Sequence, residues 1–335
     1  MDEATRLALL NRWQHGFPLC PAPFQAIGQA LGLPEAQVIE GYRQLQQQGA
    51  ISRIGGVFTA GSGGAAVLAA MAVPPDRLEA VAAKVSAHPG VNHNYEREHR
   101  YNLWFVMTGP DRGAVEQAMR ELEACTGLPA LRLRMRRAYR IDLGFDLRHA
   151  VSTDVRPQPV APVPLAADEW PLAALAEEGL CGEPRPFEAW GQALGQPEEQ
   201  VIRTLEAWLA RGTLRRFGVV VRHHELGFDA NAMTVFDVPD DRVDQCGAAL
   251  AGLSGITLAY RRERAAGWPF NLYCMVHGRD RGVVRRVIEE AIDTAGLQRH
   301  PHAVLFSRRR FKQVGARRFR PHPVPGALVP AAAVA

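Results

Sequence analysis

Apolar residues recur along the chain first with a helical period and then with an alternating one, and the whole succession occurs twice. Residues 4–12 are apolar-periodic. Phe24, Ile27 and Leu31 then follow at i, i+3 and i+7, which predicts a helix over 23–31. Gly32-Leu33-Pro34 reads as a turn, with Pro34 at the start of a third helix whose face carries Val38, Tyr42 and Leu45 and which Gly49 ends. Residues 50–59 read as a short hairpin, and three helices with such a wing predict a winged helix-turn-helix. Beyond it, 65–73 is an apolar strand stopped by Pro74-Pro75, and 76–87 is a helix burying Leu78, Val81, Ala82 and Val85. A hairpin over 91–98 and 101–108, a helix over 111–125 capped by Asp111 and a last strand over 131–141 complete the unit. The order β-α-β-β-α-β predicts a ferredoxin-like fold.

The second succession is a copy. PFQAIGQALGLPEAQVI (23–39) returns as PFEAWGQALGQPEEQVI (186–202), with thirteen of seventeen positions identical. Arg53-Ile54-Gly55 returns as Arg216-Phe217-Gly218, and YEREHRYNLW from Tyr95 returns, lengthened, as YRRERAAGWPFNLY from Tyr260. A period of half the chain is too long for a solenoid, whose repeats run about 20–50 residues. The expected class is α+β: two tandem copies of a winged helix-turn-helix domain, each followed by a ferredoxin-like βαββαβ domain. The expected bounds are 1–60 and 61–148, a proline-rich linker over 149–165, then 166–228 and 229–318, and an unstructured tail over 319–335.

Composition narrows the classes. No stretch approaches the ~20 apolar residues of a membrane span, and MDEATRLALL has no signal-peptide shape. A cytoplasmic protein with no membrane partner is expected. Five cysteines without a CxxC pair indicate neither a disulfide framework nor a zinc finger. All but two of the 39 basic residues are arginine, Lys84 and Lys312 being the exceptions, so cationic sites here are planar forks that grip carboxylates or phosphates bidentately. The glycine turn at 61–64 lacks a Walker lysine. No Ser/His/Asp or Cys/His nucleophile arrangement and no metal-spaced carboxylate pair is legible.

A winged helix followed by a ferredoxin-like domain resembles the Lrp/AsnC transcription regulators. That resemblance implies DNA binding through the second helix of the turn. Here that helix carries Glu35 and Glu40 against Arg43, and in the second copy Glu198, Glu199 and Glu206 against Arg203 and Arg211, a net −1 in each. Phosphate neutralisation supplies most affinity for DNA, so the acidic helices disfavour that reading, although Gln44, Gln46, Gln47 and Gln48 could contact adenine edges.

The densest polar segment is VNHNYEREHRYNLWF, residues 91–105. Strand alternation puts Val91, His93, Tyr95, Arg97 and His99 on one face and Asn92, Asn94, Glu96 and Glu98 on the other. In the last strand Arg132, Arg134 and Arg136 alternate with Leu131, Leu133 and Met135; Arg308, Arg309, Arg310 and Lys312 hold the matching strand of the second copy. These arginines either discourage sheet-to-sheet pairing or border a pocket walled by the His/Tyr/Arg hairpin. Such a pocket suits a carboxylate-rich polyanion.

Taken together, HNYEREHRYNLWF and the FxxIGxxLG stretch resemble the siroheme decarboxylases of the haem d1 and alternative haem pathways, in their fused two-subunit form, over about residues 5 to 318. The first copy resembles the D-type subunit and the second, through Tyr260-Arg261-Arg262, residues 269–273 and His277-Gly278, the L-type. The resemblance implies removal of the C12 and C18 acetate carboxyls of siroheme as CO2, giving 12,18-didecarboxysiroheme. It implies no cofactor beyond the substrate's own iron-tetrapyrrole, and a homodimer through the ferredoxin-like sheets is the expected assembly. The alternative is a tetrapyrrole-responsive regulator. By this resemblance His93 and His99 are candidate proton donors or iron-facing residues, and Tyr95 and Arg97 orient the carboxylate. Arg53 and Arg216 close the pocket from the winged-helix side, while Arg132, Arg134, Arg136, Tyr260, Arg262, Arg264, Asn271 and Tyr273 bind substrate. His93 aligns with Leu258 and His99 with Arg264, so the two copies cannot use the same acids.

Overall fold

The computed structural model describes residues 1–141, 144, 147–148 and 163–320; most of the expected linker and of the expected tail lies outside the described residues. The first copy runs α1 (Glu3–Asn11), α2 (Pro23–Leu31), α3 (Glu35–Gln47), β1 (Ile51–Phe58), β2 (Ala65–Met71), α4 (Leu78–Ala87), β3 (Val91–Arg97), β4 (Leu103–Gly109), α5 (Arg112–Thr126), β5 (Ala130–Leu133) and β6 (Met135–Ile141). The second runs α6 (Trp170–Glu178), α7 (Pro186–Leu194), α8 (Glu198–Ala210), β7 (Leu214–Val221), β8 (Ala230–Phe236), α9 (Val243–Ala251), β9 (Ile256–Arg262), β10 (Leu272–Gly278), α10 (Arg281–Thr294) and β11 (His302–Gln313). Local signals set the helix ends. Pro23 opens α2 and left-handed Gly32 (φ 68°) closes it. Asp111 and Asp280 cap α5 and α10 by accepting from Ala114 N and Val283 N, each at 2.8 Å. Among the described residues no helix is long and apolar enough to cross a membrane.

Residues 50–59 do not fold back as a hairpin. They form the single strand β1, which pairs antiparallel with its own copy, β7. Ile54 faces Val219, Gly55 faces Gly218 and Gly56 faces Phe217, so the equivalent glycines meet on the pseudo-two-fold axis of the chain. Gly55 supplies no turn; it is small because a Cβ there would come within 2.7 Å of Ala176 O, as one on Gly218 would come within 2.4 Å of Trp13 O. The helices and the strands β1 and β7 of both copies share one apolar core, in which Phe24, Val38, Leu45, Phe187, Val201 and Trp208 are buried.

Below this layer lies one nine-stranded sheet, in the order β5-β2-β4-β3-β11-β8-β10-β9-β6. The last strand of each copy serves both. β11 pairs with β8 through His302–Phe306 and then with β3 of the first copy through Ser307–Gln313. The stretch expected as one strand over 131–141 divides likewise at Arg134, with β5 on β2 and β6 on β9. Because β5 and β6 are the two ends of the order, the chain itself closes the sheet at Arg134, and sheet-to-sheet pairing takes place within one chain. Side chains on the outer face pack under the helices of each copy. Those on the inner face, among them Leu68, Trp104, Met233, Val235, Trp268 and Tyr273, form a core between the two halves.

The cross-copy exchange is fixed by equivalent contacts. Arg97 Nη1 donates to Leu305 O at 3.1 Å and Arg262 Nη1 to Leu133 O at 2.8 Å. Lys312 caps the end of α4 at Ser86 O and His88 O, and Arg140 caps the end of α9 at Ala251 O and Leu253 O. Phe319 and Arg320, expected in the tail, are packed: Phe319 lies against Phe58 and Trp170, and Arg320 pairs with Glu178 at 2.5 Å.

Candidate functional site

A bulge at Asn92 decides what the β3 hairpin presents. It breaks the expected alternation: Val91 turns outward into the core beneath α4, alongside Asn94, which donates to Ala82 O at 3.1 Å. His93, Tyr95 and Arg97 stay on the inner face. The His93 and Tyr95 rings stack at 6.2 Å, and the Arg97 guanidinium sits 5.8 Å from the Tyr95 ring centroid. Next to them on β11, Arg310 faces Tyr95 and Gln313 faces His93. Further round the wall, β8 and β10 pair Asn231 with His277. From above, the loop after β7 supplies Arg222 and His223, whose ring centroid lies 6.1 Å from that of His277. Arg310 is ion-paired with Glu225 of the same loop. The cluster is thus built from both copies and enclosed by them.

Its electrostatics follow from enclosure. His93 and His277 keep some accessible surface yet are ringed by protein, as side chains lining a cavity are. Burial, and secondarily the charge of Arg53, hold His93 down at about 4; burial, and secondarily Arg97, do the same to His277. His223 is pushed well below its ordinary value by burial, then by His277 and Arg216. The Tyr95 phenol is raised by burial, against the pull of Arg97, Arg310 and Arg222. At neutral pH this cluster therefore holds neutral imidazoles and a protonated phenol among arginines. Thr257 anchors the His277 ring. Its hydroxyl lies 3.1 Å from Met275 O and 2.7 Å from His277 Nδ1. One hydroxyl proton cannot serve both: when it goes to Met275 O, Nδ1 carries the hydrogen and Nε2 keeps its lone pair, and when it goes to Nδ1 the roles reverse.

A cleft of about 410 Å³ adjoins this cavity and is lined by Arg53, Arg222, Lys312, Arg317 and Arg320 together with Glu177 and Glu178. Buried Nε atoms of Arg53, Arg222 and Arg317 have no hydrogen-bond partner there, nor has Asn231 Oδ1. Buried donors left unmade cost about 1–3 kcal/mol each, and the arginines that carry these three line one cleft.

The other expected residues lie elsewhere. His99 is past the end of β3, stacked on Tyr101 and edge-on to Trp268 at 5.3 Å, with Nδ1 accepting from Tyr101 N. Arg97 and Arg262 are held by carbonyls of the exchanged strands. Arg216 donates to Gln14 O (2.7 Å) and Val219 O. Arg264 is paired with Asp237 and Asp240 on the surface. Asn271 clamps Val238 through its N–H and C=O, as Asn102 clamps Val73. Tyr260 is buried between the sheets under Arg262, and Tyr273 accepts from Trp268 Nε1 at 2.6 Å. Arg132 pairs with Glu116 and Glu123, Arg134 with Glu116, and Arg136 with Glu263, all away from His93. Arg222, His223 and Asn231 carry no motif in the sequence. Only strand-by-strand comparison of the copies shows them, and with them what His277 and Arg310 replace.

That comparison gives the second cavity. Equivalent positions replace His93 by Leu258, His277 by Thr108, Asn231 by Ala66, Arg310 by Ala138 and Gln313 by Ile141. Ungapped extension past β1 and β7 replaces Arg222 by Thr59 and His223 by Ala60. Five of these replacements line one cavity of about 800 Å³.

The fold and this cationic cavity define a ligand-binding chain of the AsnC type: a model of the AsnC-like ligand-binding domain matches residues 62–140 and 225–312, and a model of the siroheme decarboxylase NirDL-like HTH domain matches residues 7–51. The siroheme decarboxylase NirDL subunit of Paracoccus denitrificans (strain Pd 1222) is 42% identical over 314 residues, covering 92% of this chain and 96% of that one. The NirDL subunit of Paracoccus pantotrophus is 44% identical over 315 residues, with the same coverage. A crystal structure of the siroheme decarboxylase NirDL in co-complex with an iron-uroporphyrin III analogue matches with TM-score 0.64 at 28% identity, covering 95% of each chain. The chain belongs to the siroheme decarboxylase family.

Proposed function

We propose that the chain removes acetate carboxyl groups of siroheme as CO2, those at C12 and C18, giving 12,18-didecarboxysiroheme, and that it does so in the cavity of His93, Tyr95, His277 and Arg310. One observation carries the siting: neutral, enclosed histidines stand beside buried arginine Nε donors that lack partners. Each half of the reaction breaks one CH2–COO⁻ bond, leaves the electron pair delocalised into the macrocycle, releases CO2 and places one proton on the carbon to give a methyl group. The tetrapyrrole is the electron sink, so no further organic cofactor is required.

Arg53, Arg222, Arg310 and Arg317 would hold the carboxylates that stay. Burial is the main cause that holds His93 down; a carboxylate engaged by Arg53 offsets the secondary one, the charge of that guanidinium, and so moves the imidazole toward the range of a competent acid. His93 or the Tyr95 phenol then protonates the carbon, and His277, in the tautomer whose Nε2 keeps its lone pair, faces the iron or accepts a proton. His99, Arg97, Arg132, Arg136, Arg216, Arg262, Arg264, Asn271 and Tyr273 belong to the framework in this reading. Each copy is read as a winged helix-turn-helix (1–60, 166–228) joined to a ferredoxin-like unit (61–148, 229–318). Strands β1 and β7 are occupied with each other and Glu40 holds Arg43 at 2.5 Å on the surface of α3, which supports an enzyme over a DNA-binding regulator. Anaerobic incubation with siroheme followed by mass analysis tests the reading. Loss of the mass of two CO2 is expected, and unchanged siroheme with folded protein overturns it.

A further inference from the structure

We propose that the second cavity is a binding site in its own right, which takes a tetrapyrrole polycarboxylate and holds it without decarboxylating it. The inference rests on the tetrapyrrole reading of the first cavity and extends it to a place that reading leaves idle.

Three features point there. The first is size. The cavity measures about 800 Å³, within the ~300–1,000 Å³ of small-molecule sites, and it exceeds the 410 Å³ cleft beside His93. Alanines have opened it: where Arg310 and Asn231 fill the first cavity, Ala138 and Ala66 stand here. The second is the division of its lining. The floor is apolar, made by Val67, Met135, Ala138 and Ile141, which suits the flat body of a macrocycle. The mouth carries Arg112, Arg134, Arg136, Arg137, Arg215 and Arg318, of which Arg134 pairs with Glu116, Arg136 with Glu263, Arg137 with Asp244 and Arg318 with Glu177, in ion pairs that a bound carboxylate would have to share. An apolar floor under an arginine rim matches a planar ring fringed with carboxylates.

The third is what the lining lacks. At the positions of His93, His277 and His223 stand Leu258, Thr108 and Ala60. A carboxylate bound here would meet no imidazole from these positions to protonate the carbon that loses CO2, and Tyr260, the counterpart of Tyr95, is buried under Arg262 in the inner core and does not line the cavity. The site can bind, and it cannot complete the reaction. The same duplication that keeps the frame symmetric thus leaves one reacting cavity and one holding cavity per chain.

Equilibrium titration with metal-free uroporphyrin III, followed by its absorption and fluorescence, reads the number of sites. The wild-type chain is expected to bind two equivalents. Ala66→Trp, at an exposed position inside the second cavity, is expected to bind one and to decarboxylate siroheme at the wild-type rate; Ala138→Trp gives an independent filling of the same space. One equivalent in the wild type, or two in both folded variants, overturns the proposal. Loss of decarboxylation in both folded variants overturns it too, because the chemistry would then sit in the second cavity. Two equivalents bound by a wild-type chain that leaves siroheme unchanged would refute the decarboxylase reading alone.

Discussion

The two cavities have one frame and opposite contents. Around each, a hairpin tyrosine, a buried hairpin arginine donating to the exchanged strand and a cationic helix cap recur in equivalent places: Tyr95, Arg97 and Lys312 in one, Tyr260, Arg262 and Arg140 in the other. Inside, the first carries His93, His277, His223, Arg222 and Arg310. At the same positions the second copy has Leu258, Thr108, Ala60, Thr59 and Ala138, of which Ala60, Thr59 and Ala138 line the second cavity. What is shared between copies holds the sheet closed; what differs is the chemistry. Shared residues tied into the sheet, Arg97 with Arg262 and Lys312 with Arg140, are therefore poor candidates for catalysis in this chain, and residues present in only one copy are good ones.

The comparison can be broken in several ways. His93→Ala is expected to lower the decarboxylation rate by ~10²–10⁴-fold, the usual worth of a positioned acid, with the fold unchanged by circular dichroism. Leu258→Ala, its equivalent, should leave the rate within about threefold. Equal losses in the two variants would mean that both cavities react. Arg222→Ala or Arg310→Ala should raise KM for siroheme ~10–100-fold, from about 1.5–3 kcal/mol per charge-assisted bond. Arg136→Ala, on the other cavity, should leave KM alone, and steady-state kinetics reads both.

Arg97→Met and Arg262→Met sharpen the shared half of the comparison. Each removes one buried donor to an exchanged strand, and each should cost about 1–3 kcal/mol in denaturant unfolding. A large effect of Arg97→Met on turnover but not on stability would return Arg97 to the substrate. Thr257→Val should lower kcat about tenfold and displace the pH profile by freeing the His277 ring. An unchanged profile would leave Thr257 a structural residue only.

The smallest effect is on stability against pH. His93 and His277 titrate at about 4 in the fold against 6.5 ordinarily. Between those values the unfolded chain binds more protons, so stability rises with pH across the window and is lost as pH falls through it. Thermal unfolding at pH 5 and pH 7 should show a gap that narrows when His93 is replaced by Leu, and a gap that stays the same would mean that His93 is not buried neutral.

Much of this was legible in the sequence. Periodicity placed most helices and strands because local spacing determines which face is buried, and the alternation in VNHNYER brought His93 and Tyr95 to one face. Pairing partners were not legible. Period and propensity are indifferent to whether β1 folds on itself or onto β7, or whether β6 joins β2 or β9; loop length and the closing of the sheet decide that. The bulge at Asn92 and the break at Arg134 are likewise invisible to a strict period of two. His277 ends the apolar strand LYCMVHG, and Arg222-His223 end LRRFGVVV, so each looks like strand-end polarity until its counterpart, Thr108 or Thr59-Ala60, is set beside it.

The most direct test turns the first cavity into the second. His93→Leu and His277→Thr together copy the residues at the equivalent positions, and the rate of anaerobic siroheme decarboxylation by the double variant is the measurement. The account predicts a fall of at least ~10³-fold, from the loss of acid catalysis, in a chain that still binds tetrapyrrole. A double variant that decarboxylates at the wild-type rate would contradict it and place the chemistry outside the His93–His277 cavity.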